Sequence, residues 1–300
     1  VRSSQLILVA FCAAITAGLF FFGNTKTPPK SSSDEITGIN SSRTVSLSDS
    51  IVLFKDKLET PEMAELQGLE ANLEEHSTGS AAHNETLLAM AHFWEKQQAL
   101  PPSSYYFTEY AKATDEAISW KEASKRNYLA FQAANDTLWK PYFAEEAVVS
   151  LEKTLSFAPS DLESKIQLAE CLIEGKNEVM QGVLLLREVT EAEPNNIPAN
   201  MQLGRLSIMS GQFEKAKERF RTILAVEPNN TEALYFLGDT HVALKEKEEA
   251  IAAFKKCREL VDSPLFKQKL DEYVNKRKRH KIATHKRKKR LRKNRHKTKK

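Results

Sequence analysis

Cysteine and histidine are the side chains best suited to metal binding, redox exchange or nucleophilic attack. In this 300-residue chain they are scattered. Cys12, Cys171 and Cys257 lie far apart, with no C-x-x-C pair and no Cys/His spacing that would close a zinc site. Cys257 falls in a slot that prefers small residues, so core packing is its better reading, and Cys171 sits in mid-helix. His76, His83, His92 and His241 form no spaced cluster, and His280, His285 and His296 sit among so many cations that a further cation is disfavoured. Glycine accounts for only 10 residues, and no phosphate-cradling loop is present. Carboxylates are plentiful, but none is set apart as an acid–base pair. The expectation is no enzyme, no cofactor and no metal.

The charge pattern offers a different chemistry. Lys276–Lys300 holds 16 Lys or Arg and no Asp or Glu. The rest of the chain then carries 28 basic against 40 acidic residues, a formal −12 hidden inside an overall +4. Blocks of like charge repel, stay disordered and commonly act as interaction tails. The densest part, Lys286, Arg287, Lys288, Lys289, Arg290, Arg292, Lys293 and Arg295, is expected to grip a polyanion. Nucleic acid, anionic lipid headgroups and an acidic protein surface all fit. The tail has no Phe, Tyr or Trp, so nucleic acid would be held by phosphate neutralisation without base stacking. A solvated extension with no dedicated partner is the plain alternative.

At the other end, Leu6–Phe22 is a mostly apolar run of 17 residues without a charge. It is short for a hydrocarbon core of about 30 Å, but Gly23 and interfacial flanks make it passable. A cleaved signal peptide is the rival reading. The run is longer than the usual apolar core of about 7–15 residues, ends in Phe20-Phe21-Phe22, and is followed by no small-x-small site, so a retained anchor is expected. Arg2 precedes it while Lys26 and Lys30 follow it, which leaves the orientation open. Residues 24–50, rich in Ser and Thr with Pro28-Pro29, form an expected flexible linker.

Between these ends the chain must supply a scaffold, and it repeats itself. Leu203-Gly204 returns as Leu237-Gly238, Ala216 as Ala250, Phe220 as Phe254 and Pro194 as Pro228, each 34 residues on. A fixed period of this size means stacked helical units, none able to bury its apolar face alone. The residues Leu203-Gly204, Ala216-x3-Phe220 and Pro228 resemble the signature of the tetratricopeptide repeat (TPR) family. Asn200 and Leu234 stand in that family's Trp slot, and Ser207 and His241 in its Tyr slot.

The resemblance implies an all-α solenoid of antiparallel helix pairs, with repeats over residues 128–161, 162–196, 197–230 and 231–264. The third unit back is one residue longer, with the extra residue expected in the polar turn Glu174–Glu178. Residues 51–127 are expected to hold helical capping elements and one divergent pair, Glu85–Leu100 and Ser103–Thr114, split by Pro101-Pro102. A capping helix is expected over residues 265–275, started by Pro264.

In the TPR family the concave surface comes mainly from the first helix of each pair. Its fifth and ninth positions map, in this register, to Gln132 and Asp136, Ile166 and Glu170, Met201 and Arg205, and Tyr235 and Asp239. These predict a mildly acidic groove with apolar contacts, suited to a basic and apolar segment. The Lys and Asn that chaperone-binding members use to clamp a terminal carboxylate are missing there. The resemblance to single-span bacterial members implies anchoring at residues 1–23 in the inner membrane with repeats facing the periplasm. Three functions follow as expectations: a membrane-anchored adaptor for a protein partner, a membrane-tethered RNA- or DNA-associated protein, and a self-regulated chain whose basic tail (residues 276–300) lies in its own groove.

Overall fold

The computed structural model describes residues 47–135, 139–261, and 264, 267, 268 and 271. The chain divides into two units, Val1–Ser50 and Ile51–Lys300. Of the first, only the opening of helix α1 (Leu47–Lys55) is described, so a helix begins inside the segment expected as linker. The expected anchor at Leu6–Phe22 and the basic tail at Lys276–Lys300 lie outside the described residues. Among the described residues, no helix is long and apolar enough to cross a membrane.

The described residues contain helices and turns and no strand. After α1 come α2 (Thr60–Glu75), α3 (Ala81–Lys96), α4 (Leu100–Thr114), α5 (Ala117–Ala133), α6 (Trp139–Phe157), α7 (Leu162–Glu170), α8 (Val179–Ala192), α9 (Ile197–Met209), α10 (Phe213–Val226), α11 (Thr231–Ala243) and α12 (Lys247–Leu260). From α2 onward each helix packs on the next, and α9 also touches α11. The short connections make successive helices antiparallel neighbours, giving the pairs α3–α4, α5–α6, α7–α8, α9–α10 and α11–α12.

Local chemistry sets most of the boundaries. Asp161, Asn196 and Asn230 precede α7, α9 and α11, and each side chain accepts a hydrogen bond from a first-turn amide, at 3.3, 3.1 and 2.9 Å. Such caps satisfy amides that the helix leaves without partners. Pro61, Pro101-Pro102 and Pro198 sit at the starts of α2, α4 and α9, where a missing N–H costs nothing. The prolines therefore open α4 at Leu100 and do not delay it to Ser103, as the sequence pattern predicted. Within the pairs, Gln98, Asn177, Gly211 and Lys245 take left-handed backbone angles between the two helices.

The 34-residue spacing has a steric origin. A Cβ on Gly204 would come within 2.7 Å of the Phe220 ring, and one on Gly238 within 2.6 Å of the Phe254 ring. Each pair is thus locked by a phenyl ring laid on a glycine backbone sixteen residues earlier. Phe220 is fully buried and Phe254 is 2% exposed. Burial of a phenyl ring of this kind contributes about 1.5–3 kcal/mol.

Two features depart from the expected register. The extra residue of the third unit back is absorbed in a π-helical turn, Cys171–Gly175, that continues α7. Lys176 N donates to Cys171 O at 3.1 Å and Glu178 N to Leu172 O at 2.7 Å, closing it. Gly175 is required there, since a Cβ would fall 2.3 Å from that of Ala144 on α6.

The second departure is larger. The unit expected to begin at Tyr128 has its first helix, α5, beginning at Ala117, so residue 128 lies in mid-helix. Counting from that start, Trp120 is the fourth residue, the place where the family pattern holds Trp. It is 4% exposed and donates from Nε1 to Asp115 Oδ1 at 2.7 Å. Beyond α12, residues 264, 267, 268 and 271 are helical, and Arg258 Nε bonds Asp271 Oδ1 at 2.9 Å. The rest of the expected cap lies outside the described residues.

Candidate partner-binding face

The first helices of the last four pairs, α5, α7, α9 and α11, are joined by side chains that reach from one to the next. Gln132 Nε2 donates to Tyr128 Oη at 2.7 Å, and Tyr128 Oη donates to Glu170 Oε2 at 2.5 Å, linking α5 to α7. Burial, and then the Glu170 carboxylate, push the Tyr128 phenol pKa up. Ile166 packs against a cluster that includes Ala199 and Leu203, so the core there joins α7 to α9. The Arg205 guanidinium lies 5.8 Å from the centre of the Phe236 ring, linking α9 to α11; such cation–π contacts are worth about 0.5–1 kcal/mol at exposed sites. Phe236 in turn stacks on Phe220 at 5.7 Å.

The residues expected in the groove divide in this setting. Arg205, Tyr235 and Asp239 are exposed and lie on α9 and α11. Tyr235 is 36% exposed, its ring edge against Phe236 and Phe254. Burial pushes the Asp239 carboxyl pKa up although the residue remains open to solvent. Ile166 and Glu170 are half-buried. Met201 does not offer a contact surface: it is 8% exposed and packs with Ala216, Phe220, Ile223 and Leu237 inside the stack. Gln132 lies in the last turn of α5, bonded to Tyr128, and Asp136 lies outside the described residues.

With α5 starting at Ala117, the fifth and ninth residues of that helix are Lys121 and Lys125. Lys121 donates to Asp161 at 2.5 Å, and Lys125 is exposed. The ninth residues of α5, α7, α9 and α11 are therefore Lys125, Glu170, Arg205 and Asp239. The acidic row predicted from the sequence is replaced by one that alternates in sign. Its cause is the eleven-residue shift of the α5 start, which removes Gln132 and Asp136 from these positions. Sequence reasoning missed Trp120 and Lys125 together. Trp120 followed by the small pair Ala123-Ser124, at the spacing of Asn200 to Leu203-Gly204, was the signal available.

The family's Trp and Tyr slots in the later repeats hold polar groups that find partners inside. Asn200 Nδ2 donates to Pro194 O at 2.9 Å and to Asn196 O at 2.8 Å, and its Oδ1 accepts from Arg219 at 3.0 Å. His241 is 3% exposed, and its Nδ1 lies 2.5 Å from Glu246 Oε2. Glu246 also accepts from Lys217 at 3.1 Å. These groups hold turns and helix starts in place and face away from solvent. Cys171 and Cys257 are fully buried, and burial pushes both thiols up, away from the thiolate that reactivity needs. Among the described residues there is no group of three or more His, Cys, Asp or Glu able to hold a metal ion.

The architecture and the face define a helical-repeat scaffold. The tetratricopeptide repeat family profile matches residues 182–229 and 207–263, so the chain carries tetratricopeptide repeats over that stretch. No curated protein sequence matches the chain. Among solved structures it is similar to MamA, with 16% identity over 59% of this chain and 91% of that one, at a TM-score of 0.49. It is similar to YrrB, a TPR protein described as having an unusual peptide-binding site, with 16% identity over 68% and 97% of the two chains, at 0.48. It is also similar to PilW, a type IV pilus biogenesis factor, with 15% identity over 70% and 90%, at 0.49.

Proposed function

We propose that this chain is a membrane-anchored TPR adaptor that holds a protein partner on the face formed by α5, α7, α9 and α11. The observation that carries the reading is the exposed set Arg205, Tyr235 and Asp239 on first helices whose interiors are already filled by Met201, Phe220 and Leu237. A partly exposed tyrosine beside surface charges suits protein recognition, where aromatic and arginine anchors carry most of the binding energy. The apolar run Leu6–Phe22 supports the anchor, and the 16 cations of Lys276–Lys300 support electrostatic attachment to a polyanionic surface. No catalytic step belongs to this reading.

The test is affinity capture of partners from nuclease-treated extract, comparing the parent chain with a Tyr235→Ala, Arg205→Ala double variant. Both positions are exposed, so the fold should survive. A loss of partner recovery of about tenfold is expected, corresponding to truncation of two anchors. Unchanged recovery would overturn the proposed face.

The charge of the tail favours a second reading, a membrane-tethered nucleic-acid-associated protein. It predicts nucleic acid in the captured material that disappears with nuclease and falls steeply as salt rises. Deleting Lys276–Lys300 should abolish that recovery while leaving Tyr235-dependent protein capture intact.

A further inference from the structure

The side chains at the ninth position of the four first helices share more than their place in sequence. Contacts from α5 to α7, α7 to α9 and α9 to α11 put these helices side by side on one face. Their ninth residues are Lys125, Glu170, Arg205 and Asp239, which alternate cation, anion, cation, anion. No salt bridge among the described residues joins any two of them or ties any of them to another charge. Glu170 has the Tyr128 hydroxyl and Arg205 the Phe236 ring, so those two side chains are held in position without an ion-pair partner. A row of oriented charges that are not neutralised within the protein is an electrostatic template.

We infer that the partner presents to this face an extended segment whose charges alternate in the complementary order, acid opposite Lys125, base opposite Glu170, acid opposite Arg205 and base opposite Asp239. This rests on the proposed adaptor reading. Packed neighbouring helices lie about 8–10 Å apart, and an extended chain in the polyproline II form advances about 3.1 Å per residue with three residues per turn, so every third side chain faces the same way. Facing charges therefore recur at about every third residue of the ligand. Tyr235, 36% exposed and four residues before Asp239, gives an apolar spacer residue a surface to lie on. Charge order of this kind selects partners more strongly than it raises affinity, because a wrong order sets like charges together.

The same row argues against the chain's own tail as occupant. Lys276–Lys300 contains no acidic residue and would place cations against Lys125 and Arg205. Self-regulation, expected from a body of formal −12 facing a tail of 16 cations, would then have to use another surface than this row.

The experiment uses the full chain and fluorescence anisotropy with four labelled ten-residue peptides, each with Gly/Ser spacers, two Asp and two Lys. One alternates Asp and Lys at every third residue, one alternates in the reverse order, one carries both Asp before both Lys, and one is ordered acid, base, base, acid. All carry no net charge, so none gains a net-charge advantage at the basic tail. One alternating peptide should bind roughly fivefold tighter than the segregated isomer at low salt, the scale of several exposed ion pairs acting together. An Arg205→Glu, Asp239→Lys double variant turns the row into cation, anion, anion, cation, and its preference should move to the acid, base, base, acid peptide.

Equal binding of all isomers by the parent chain overturns the charge order, as does an absence of binding by any of them. The adaptor reading is judged separately, by the dependence of partner capture on Tyr235 and Arg205. It stands if capture fails in that variant even though the isomers do not differ.

Discussion

The two halves of the helical stack solve the same packing problem by different means. From α7 to α12 the pairs are short, nearly identical in length and built on small residues in contact with large ones, such as Gly204 under Phe220 and Gly238 under Phe254. From α2 to α6 the helices are 15–19 residues long, and the core is filled by Trp94, Phe107, Trp120 and Phe131; no glycine within these helices lies against a ring, although Gly175 of the following turn lies against Phe131.

Polar groups enter that N-terminal core as well. Asn127, 1% exposed, donates to Thr108 Oγ1 at 2.9 Å and to Ser150 Oγ at 3.3 Å, tying α4, α5 and α6 together. Among the described residues, the buried side-chain atoms without a hydrogen-bond partner are Glu62 Oε2, His83 Nδ1, Asn84 Oδ1 and Trp94 Nε1, all on α2 and α3. Regular repeats thus rest on shape, and the irregular end rests on aromatic volume and a hydrogen-bonded network. A periodic sequence needs the first kind of contact, because only backbone approach forces the same residue type at the same spacing.

The comparison can be broken most sharply at Phe220. Phe220→Ala removes a fully buried ring and leaves the Gly204 backbone facing a cavity. A loss of about 3–5 kcal/mol is expected, read as a lowered denaturation midpoint in urea followed by circular dichroism. If the two halves are held by different contacts, hydrogen exchange in α9–α11 should rise well before exchange in α3–α5.

Asn127→Ala is the counterpart in the other half. It leaves the Thr108 hydroxyl without its donor and opens space between three helices, so a loss of about 1–3 kcal/mol is expected. Exchange should then rise first in α4–α6. Loss confined to the C-terminal repeats would contradict the assignment of this network to the N-terminal half.

The smallest effect concerns the turn of the last pair. The His241 hydrogen bond, followed by that of Lys217, holds the Glu246 carboxyl below its ordinary value near 4.5. A depressed carboxylate contributes stability above its unfolded pKa that disappears as pH falls through the folded one. The contribution should therefore be present at neutral pH and lost below about pH 4.5. Glu246→Gln should flatten the acid limb of a stability–pH curve and leave its neutral-to-basic course parallel to the parent. An unchanged acid limb would show that the His241–Glu246 contact does not report on folding.

What could be read from the sequence follows the same division. Phe220 and Phe254 reveal their glycines because the contact repeats, so the helix pairs from α7 to α12 were legible as a period. The α5–α6 pair was not. Counting back in equal steps from Pro159 and Leu151 reached Tyr128, eleven residues inside α5, since nothing in a fixed period announces that both helices of one pair are longer. The proposed partner face carries the same shift: Glu170, Arg205, Tyr235 and Asp239 lie on the regular repeats, while the ninth residue of α5 is Lys125 where counting by the period gives Asp136. Met201 failed for another reason. Its position on a first helix was right, but the interior needed a flexible side chain between Phe220 and Leu237, and burial of that kind depends on three helices at once.

The π-turn at Cys171–Gly175 has a consequence for how such an array can change over time. Each residue added to an α-helix rotates everything after it by about 100°, enough to swing Leu186 and Val189 of α8 out of the core and their polar neighbours into it. Widening one turn takes up that rotation locally, so the downstream helices keep their phase and the insertion becomes silent beyond Asn177. A repeat carrying one residue more can therefore join the stack without altering the helices that follow it. Gly175, fitted against Ala144, is the residue that makes the accommodation sterically possible.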